Sequence, residues 1–148
     1  MFLLQDQNFL VEEYSDMRIY VNSKIKEPFM KLIQIYECLC DETRLRILNL
    51  LSVTPLCVSH LQKVLQMTQV KMSKHLTYMK ERGMVEAVRC ENRKLYSLSK
   101  KASAELISNM KCLQDCSKEY PIFKKDLNKL GEILNEVSEL KEKIRLKS

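Results

Sequence analysis

Apolar residues recur at helical spacing from position 28 onward. Phe29, Leu32, Ile33, Tyr36 and Leu39 fall three or four apart, which predicts an amphipathic helix, and Pro28 suits its first turn. Asp41 reads as the N-cap of a second helix from Arg44 to Leu51, with Leu45, Ile47, Leu48 and Leu51 as its apolar stripe. Pro55 opens a third near Val58, with Leu61, Val64 and Leu65 turned inward. After a break at Met67 and Thr68, Met72, Leu76 and Met79 define a helix to about Arg82, ended by Gly83 in a left-handed cap. The period then changes from helical to two. Val85, Glu86, Ala87 and Val88 alternate, as do Leu95, Tyr96, Ser97 and Leu98, so they predict a strand pair turning at Glu91 and Asn92. Ser99 reads as the N-cap of a helix to about Glu119, and Pro121 restarts a last helix.

That last helix carries Phe123, Leu127, Leu130, Leu134, Val137 and Ile144 as a heptad-like seam, interrupted by Lys141. The seam suits packing on its own domain or pairing with a second copy. A strip of this length on a small domain favours dimerisation. Residues 1–25 form an N-terminal extension with a short helix and a short strand, Arg18 to Val21, and Met17 is an alternative start. The chain thus divides into this extension, a domain over residues 26–120 and a C-terminal amphipathic helix over residues 121–148. The fold class is mainly α with one β-hairpin.

Composition narrows the function classes. With 148 residues the chain is one domain able to bury a core. Two glycines and three prolines are too few for a turn-rich β protein or a glycine-rich phosphate loop. No apolar run reaches the ~18 residues of a membrane span. The N-terminus lacks the pattern of a secretion signal, so a cytoplasmic protein without membrane partners is expected. With two histidines and no paired carboxylates in a recognisable frame, no catalytic set emerges and an enzyme is not expected.

Charge changes the picture once it is located. The formal net charge is +6, and residues 69–101 hold nine cations against Glu81, Glu86 and Glu91, so the whole excess sits there. A focused basic stretch suggests a polyanion, of which nucleic acid is the commonest. The bland alternative is a solvated face. The element order decides between them: two short helices joined by a turn and followed by a basic hairpin describe a winged helix-turn-helix. In that architecture the second helix enters the major groove and the hairpin reaches along the backbone. Gln69, Lys71, Ser73, Lys74, His75, Thr77 and Tyr78 lie off the apolar stripe of the second helix, and Arg89, Asn92, Arg93 and Lys94 surround the hairpin tip. These are the candidate DNA-binding residues, and double-stranded operator DNA is the expected partner. A winged helix used only as a protein-interaction module is the competing reading, and the basic second helix speaks against it.

The stretch from Cys38 to Leu51, CLCDETRLRILNLL, resembles the second-helix signature of the ArsR/SmtB family of bacterial metal-responsive repressors. Residues 55–85 are similar to that family's helix-turn-helix, and residues 89–99 to its wing. The resemblance spans roughly residues 26–120. It implies a homodimeric repressor that leaves its operator when an inducer binds, with no obligatory cofactor.

Six cysteines, Cys38, Cys40, Cys57, Cys90, Cys112 and Cys116, bear on the inducer. An even count fits disulfides in a secreted protein, but a chain with its own core and no leader is expected to keep them reduced. Arsenite sensors of the family carry Cys-Val-Cys at the first helix of the pair. Cys57 and Val58 match its first half, while Ser59 and Gln62 stand where further thiols would lie. Asn49 stands where the family's persulfide sensors carry a cysteine. Cys112 and Cys116 are four apart, hence on one helix face, and roughly 100–140° from the centre of that helix's apolar stripe. They are the candidate ligands for As(III) or another thiophilic ion, with Cys57 or a partner chain as third donor, because soft thiolates suit soft ions. A thiol-redox switch at the same pair is the alternative. Cys38 and Cys40 read as structural, Cys90 as incidental and His60 as a solvated helix residue.

Overall fold

The computed structural model describes residues 29–90 and 92–145, with side chains omitted for Cys90 and for residues 136–145. The expected short helix and strand in residues 1–25 lie outside it. Helix α1 covers residues 29–39. Its end abuts α2 (Glu42–Val53), whose N-cap Asp41 accepts a 2.9 Å hydrogen bond from the Arg44 amide. Asp41 thus satisfies an amide that the first helical turn would otherwise leave unpaired.

The helix-turn-helix follows. α3 (Val58–Leu65) ends at Gln66 in the left-handed region, φ 53°, and α4 (Gln69–Glu81) starts at the N-cap Thr68. The break foreseen at Met67 and Thr68 is therefore a cap-to-cap junction. Gly83 follows α4 at φ +68°, where a side chain would be strained, and the Met84 amide bonds back to the Met79 carbonyl.

Strands β2 (Val85–Cys90) and β3 (Arg93–Leu98) form the antiparallel wing, with Val88 opposite Leu95 and Cys90 opposite Arg93. A further strand, β1 (Leu56–Cys57), pairs with β3, giving the order β1-β3-β2. Two residues cannot announce a strand by periodicity, so β1 was not foreseen. It pins the start of α3 to the wing.

Helix α5 (Ala104–Ser117) begins later than expected. The Ser99 amide is spent on the Met84 carbonyl, the Lys100 amide donates to the Glu86 carboxylate and the Ala102 amide closes a turn on Ser99. Ser99 therefore caps that turn, and Ser103 caps the helix by accepting from the Leu106 amide. Ile47, Leu48, Leu50, Leu61, Met72, Leu76 and Met79, contributed by α2, α3 and α4, are fully buried at the centre of the core.

Helix α6 (Pro121–Arg145) lies against α2 and α3. Phe123 and Leu130 of the seam are buried, and Leu127 and Leu134 pack on the same core. The front of the seam is thus used in part within its own domain. Its fixation is polar as well as apolar: Arg46 donates to both carboxylate oxygens of Asp126 at 2.7 and 2.8 Å, and Asp126 is only 1% exposed.

Candidate nucleic-acid interface

Met72, Leu76 and Met79 fix the rotation of α4 by turning into the core. At 100° per residue, Val70, Lys74, Thr77 and Glu81 then lie roughly 130–175° from that buried stripe. All four are exposed, and so are Gln69, Lys71 and Ser73. Together with Tyr78, most of them line an open concavity of about 620 Å³ along the helix.

Two candidates from the sequence sit differently. His75 faces α2, with Nδ1 3.8 Å from the Asp41 carboxylate. Tyr78 is half-buried, with the Arg82 guanidinium 3.4 Å and the Arg44 guanidinium 4.3 Å from its ring centroid. Arg44 also donates to the Glu37 and Cys38 carbonyls at the end of α1. Arg44 and Arg82 were missed in the sequence because stacking on a ring leaves no spacing signature. They tie α1, α2 and α4 into one unit, so Tyr78 serves the position of α4 rather than the front of its exposed row.

The wing closes the other side. Arg89, Asn92, Arg93 and Lys94 are all exposed. Arg93 and Lys94 line a cleft of about 320 Å³ with Cys57, Val58, Ser59, Gln62 and Gln69. Because β1 pairs with β3, this cleft brings the start of α3, the start of α4 and two wing cations together. Cations and helix starts facing one groove form an anion-attracting surface.

His60 is not a freely solvated residue: its Nδ1 is buried without a partner among the described residues. Burial first, then the charges of Arg93 and Lys63, hold its pKa below the ordinary 6.5. The unfolded chain consequently takes up this proton before the folded one does. Stability from this source is complete above pH about 6.5 and declines as pH falls through that value toward the lower folded one. His60→Gln is expected to flatten the drop in urea midpoint between pH about 7.5 and 5.5; an unchanged drop would remove His60 as its origin.

The thiols separate into two groups. Cys38 is fully buried, and burial pushes its thiol up to about 11. Cys57 is buried, with Sγ 3.0 Å from Ser59 Oγ, under the wing cleft. Cys40, Cys112 and Cys116 are exposed, so Cys40 is not the packed residue expected. The Cys116 thiol is raised chiefly by the neighbouring Cys112, which places the two sulfurs within mutual influence. Among the described residues no three histidine, cysteine or carboxylate groups converge on a metal-sized site. The chain itself therefore brings Cys112 and Cys116 together and leaves Cys57 apart from them.

Residues 41–87, from the cap of α2 into β2, match the sequence model described as "Bacterial regulatory protein, arsR family". The chain carries a helix-turn-helix of the ArsR family. The chain is 43% identical over 58 residues to the arsenical resistance operon repressor of Escherichia coli K12, a match covering 38% of this chain. The chain spans half the length of that curated relative. HlyU from Vibrio cholerae superposes with a TM-score of 0.55 at 26% identity, covering 60% of this chain and 94% of that one. The homodimeric winged helix-turn-helix DNA-binding domain Mb0332 from Mycobacterium bovis shares the fold, with a TM-score of 0.56 at 23% identity, covering 65% and 86%. No described helix of the chain is long and apolar enough to cross a membrane.

Proposed function

We propose that the chain is a sequence-specific DNA-binding repressor that acts as a homodimer and is released by As(III) or another thiophilic ion. The observation that carries DNA binding is the continuity of the exposed row on α4 with Arg93 and Lys94 of the wing across one cleft. Lys74 and the wing cations contact phosphates, Gln69 and Ser73 face base edges, and Thr68 and Tyr78 hold the helix that presents them. The homodimeric state of a neighbour with the same fold supports pairing. So do Phe29, Met30 and Tyr36 on α1 and Ile107 on α5, large apolar side chains left exposed on the two helices that flank the core.

Selection by the full chain from a pool of randomised duplexes tests this reading. Enrichment of an inverted repeat, with half-site centres about one helical turn apart, is the expected outcome. Failure to enrich any duplex at low salt with reduced protein would contradict it.

The inducer reading rests on Cys112 and Cys116, two exposed thiols one helical turn apart on α5. The name of the Escherichia coli relative supports arsenic as the ion. Two thiolates at this spacing chelate a soft ion without remodelling the helix. The third donor comes from the second copy, because Cys57 lies under the wing. A disulfide at the same spacing would strain the helix, which disfavours the redox alternative.

A further inference from the structure

The exposed face of α4 carries one large apolar residue. Val70 is 66% exposed, close to the point of the helix farthest from the core. It is the second residue of α4, on the turn that a recognition helix presents to base edges. Its neighbours in the concavity, Gln69, Ser73, Lys74 and Thr77, are polar. Nothing in the fold needs valine here: two thirds of its surface is open, and β-branching lowers helix propensity relative to alanine.

The major groove offers apolar surface at one place only, the C5-methyl of thymine. We infer that Val70 reads a thymine methyl in each half-site, so the preferred duplex carries thymine where the start of α4 meets the groove. Gln69 and Ser73 flank the contact and donate or accept at adjacent base edges. Lys74, one turn further along, anchors the backbone. This assignment rests on the DNA-binding reading and adds a specific base to it.

The test uses the duplex selected by the full chain, with each thymine in turn replaced by uracil, which removes the methyl and leaves the pairing edge intact. Wild-type binding is expected to weaken about fourfold at one thymine per half-site, the scale of one buried methyl group. Val70→Ala, which removes the contact in both half-sites, is expected to bind the thymine duplex about sixteenfold more weakly and to be indifferent to uracil at that position. Alanine keeps the helix, so an unchanged urea midpoint separates this loss from misfolding. If wild type shows no methyl dependence, or Val70→Ala keeps it, the inference is overturned while DNA binding stands. If no duplex is retained at all, the DNA-binding reading fails and this one with it.

Discussion

Arg46→Ala is expected to cost the fold about 3–5 kcal/mol, because it strands a charge that has almost no access to water. Asp126 is 1% exposed and both of its oxygens accept from Arg46. Without the guanidinium, the carboxylate must be buried alone, protonated, or freed by detaching α6 from α2. Asp126→Ala is expected to be milder, about 2–3 kcal/mol. The Arg46 side chain is 19% exposed and keeps Glu42 at 3.4 Å, so its charge has another outlet. Replacing both residues with apolar ones of similar volume, Arg46→Met with Asp126→Leu, is expected to recover most of the loss. Urea unfolding of the four proteins reads these differences as shifts in midpoint at constant slope. Two single variants within about 0.5 kcal/mol of wild type would show that the pair does not clamp α6.

Cys112→Ser or Cys116→Ser is expected to abolish release of DNA by arsenite. The bound ion acts only through a difference in affinity between the DNA-competent and incompetent arrangements. For the reduced wild type, a coupling of the usual size weakens duplex binding about tenfold or more. Each single serine variant loses a thiolate from a chelate that has only two in one chain, so both are expected to bind DNA normally and ignore arsenite. Cys57→Ser is expected to keep the response, since Cys57 is buried beside Ser59 at the wing cleft and forms no three-ligand group with the α5 thiols. Fluorescence anisotropy of a labelled duplex under reducing conditions, titrated with arsenite, makes the comparison. Release from the double serine variant, with loss of release in Cys57→Ser, would move the site to the start of α3.

The helices that position the interface were readable because several local signals agree there. Asp41 and Thr68 cap α2 and α4 through their side chains, and the buried stripe Met72, Leu76 and Met79 keeps strict helical spacing. The wing was readable from its change of period. Sequence reasoning failed where a residue's partner lies far along the chain. Ser99 and Ser103 are equally good caps locally, and the pairing of Ser99 with Met84 decides which one starts α5. His75 and Tyr78 count as surface positions on a helical wheel, yet Asp41 and Arg44, at the start of α2, lie against them. The spacing of the α6 seam does not reveal that Leu130, with Leu127 and Leu134, also packs on the core of its own domain.

The salt dependence of duplex binding tests the central claim most directly. The logarithm of the binding constant falls linearly with the logarithm of salt concentration, with a slope set by the number of phosphates neutralised. Lys74 is the most outward cation on α4 and Arg93 stands across the cleft, so each is assigned one phosphate. Wild type is expected to show a steep slope on its selected duplex, and Lys74→Ala/Arg93→Ala, which removes two phosphate contacts from each of two copies, a slope shallower by about 3–4, with an unchanged urea midpoint. A double variant that binds with the wild-type slope would contradict the assignment of α4 and the wing as the DNA-binding surface.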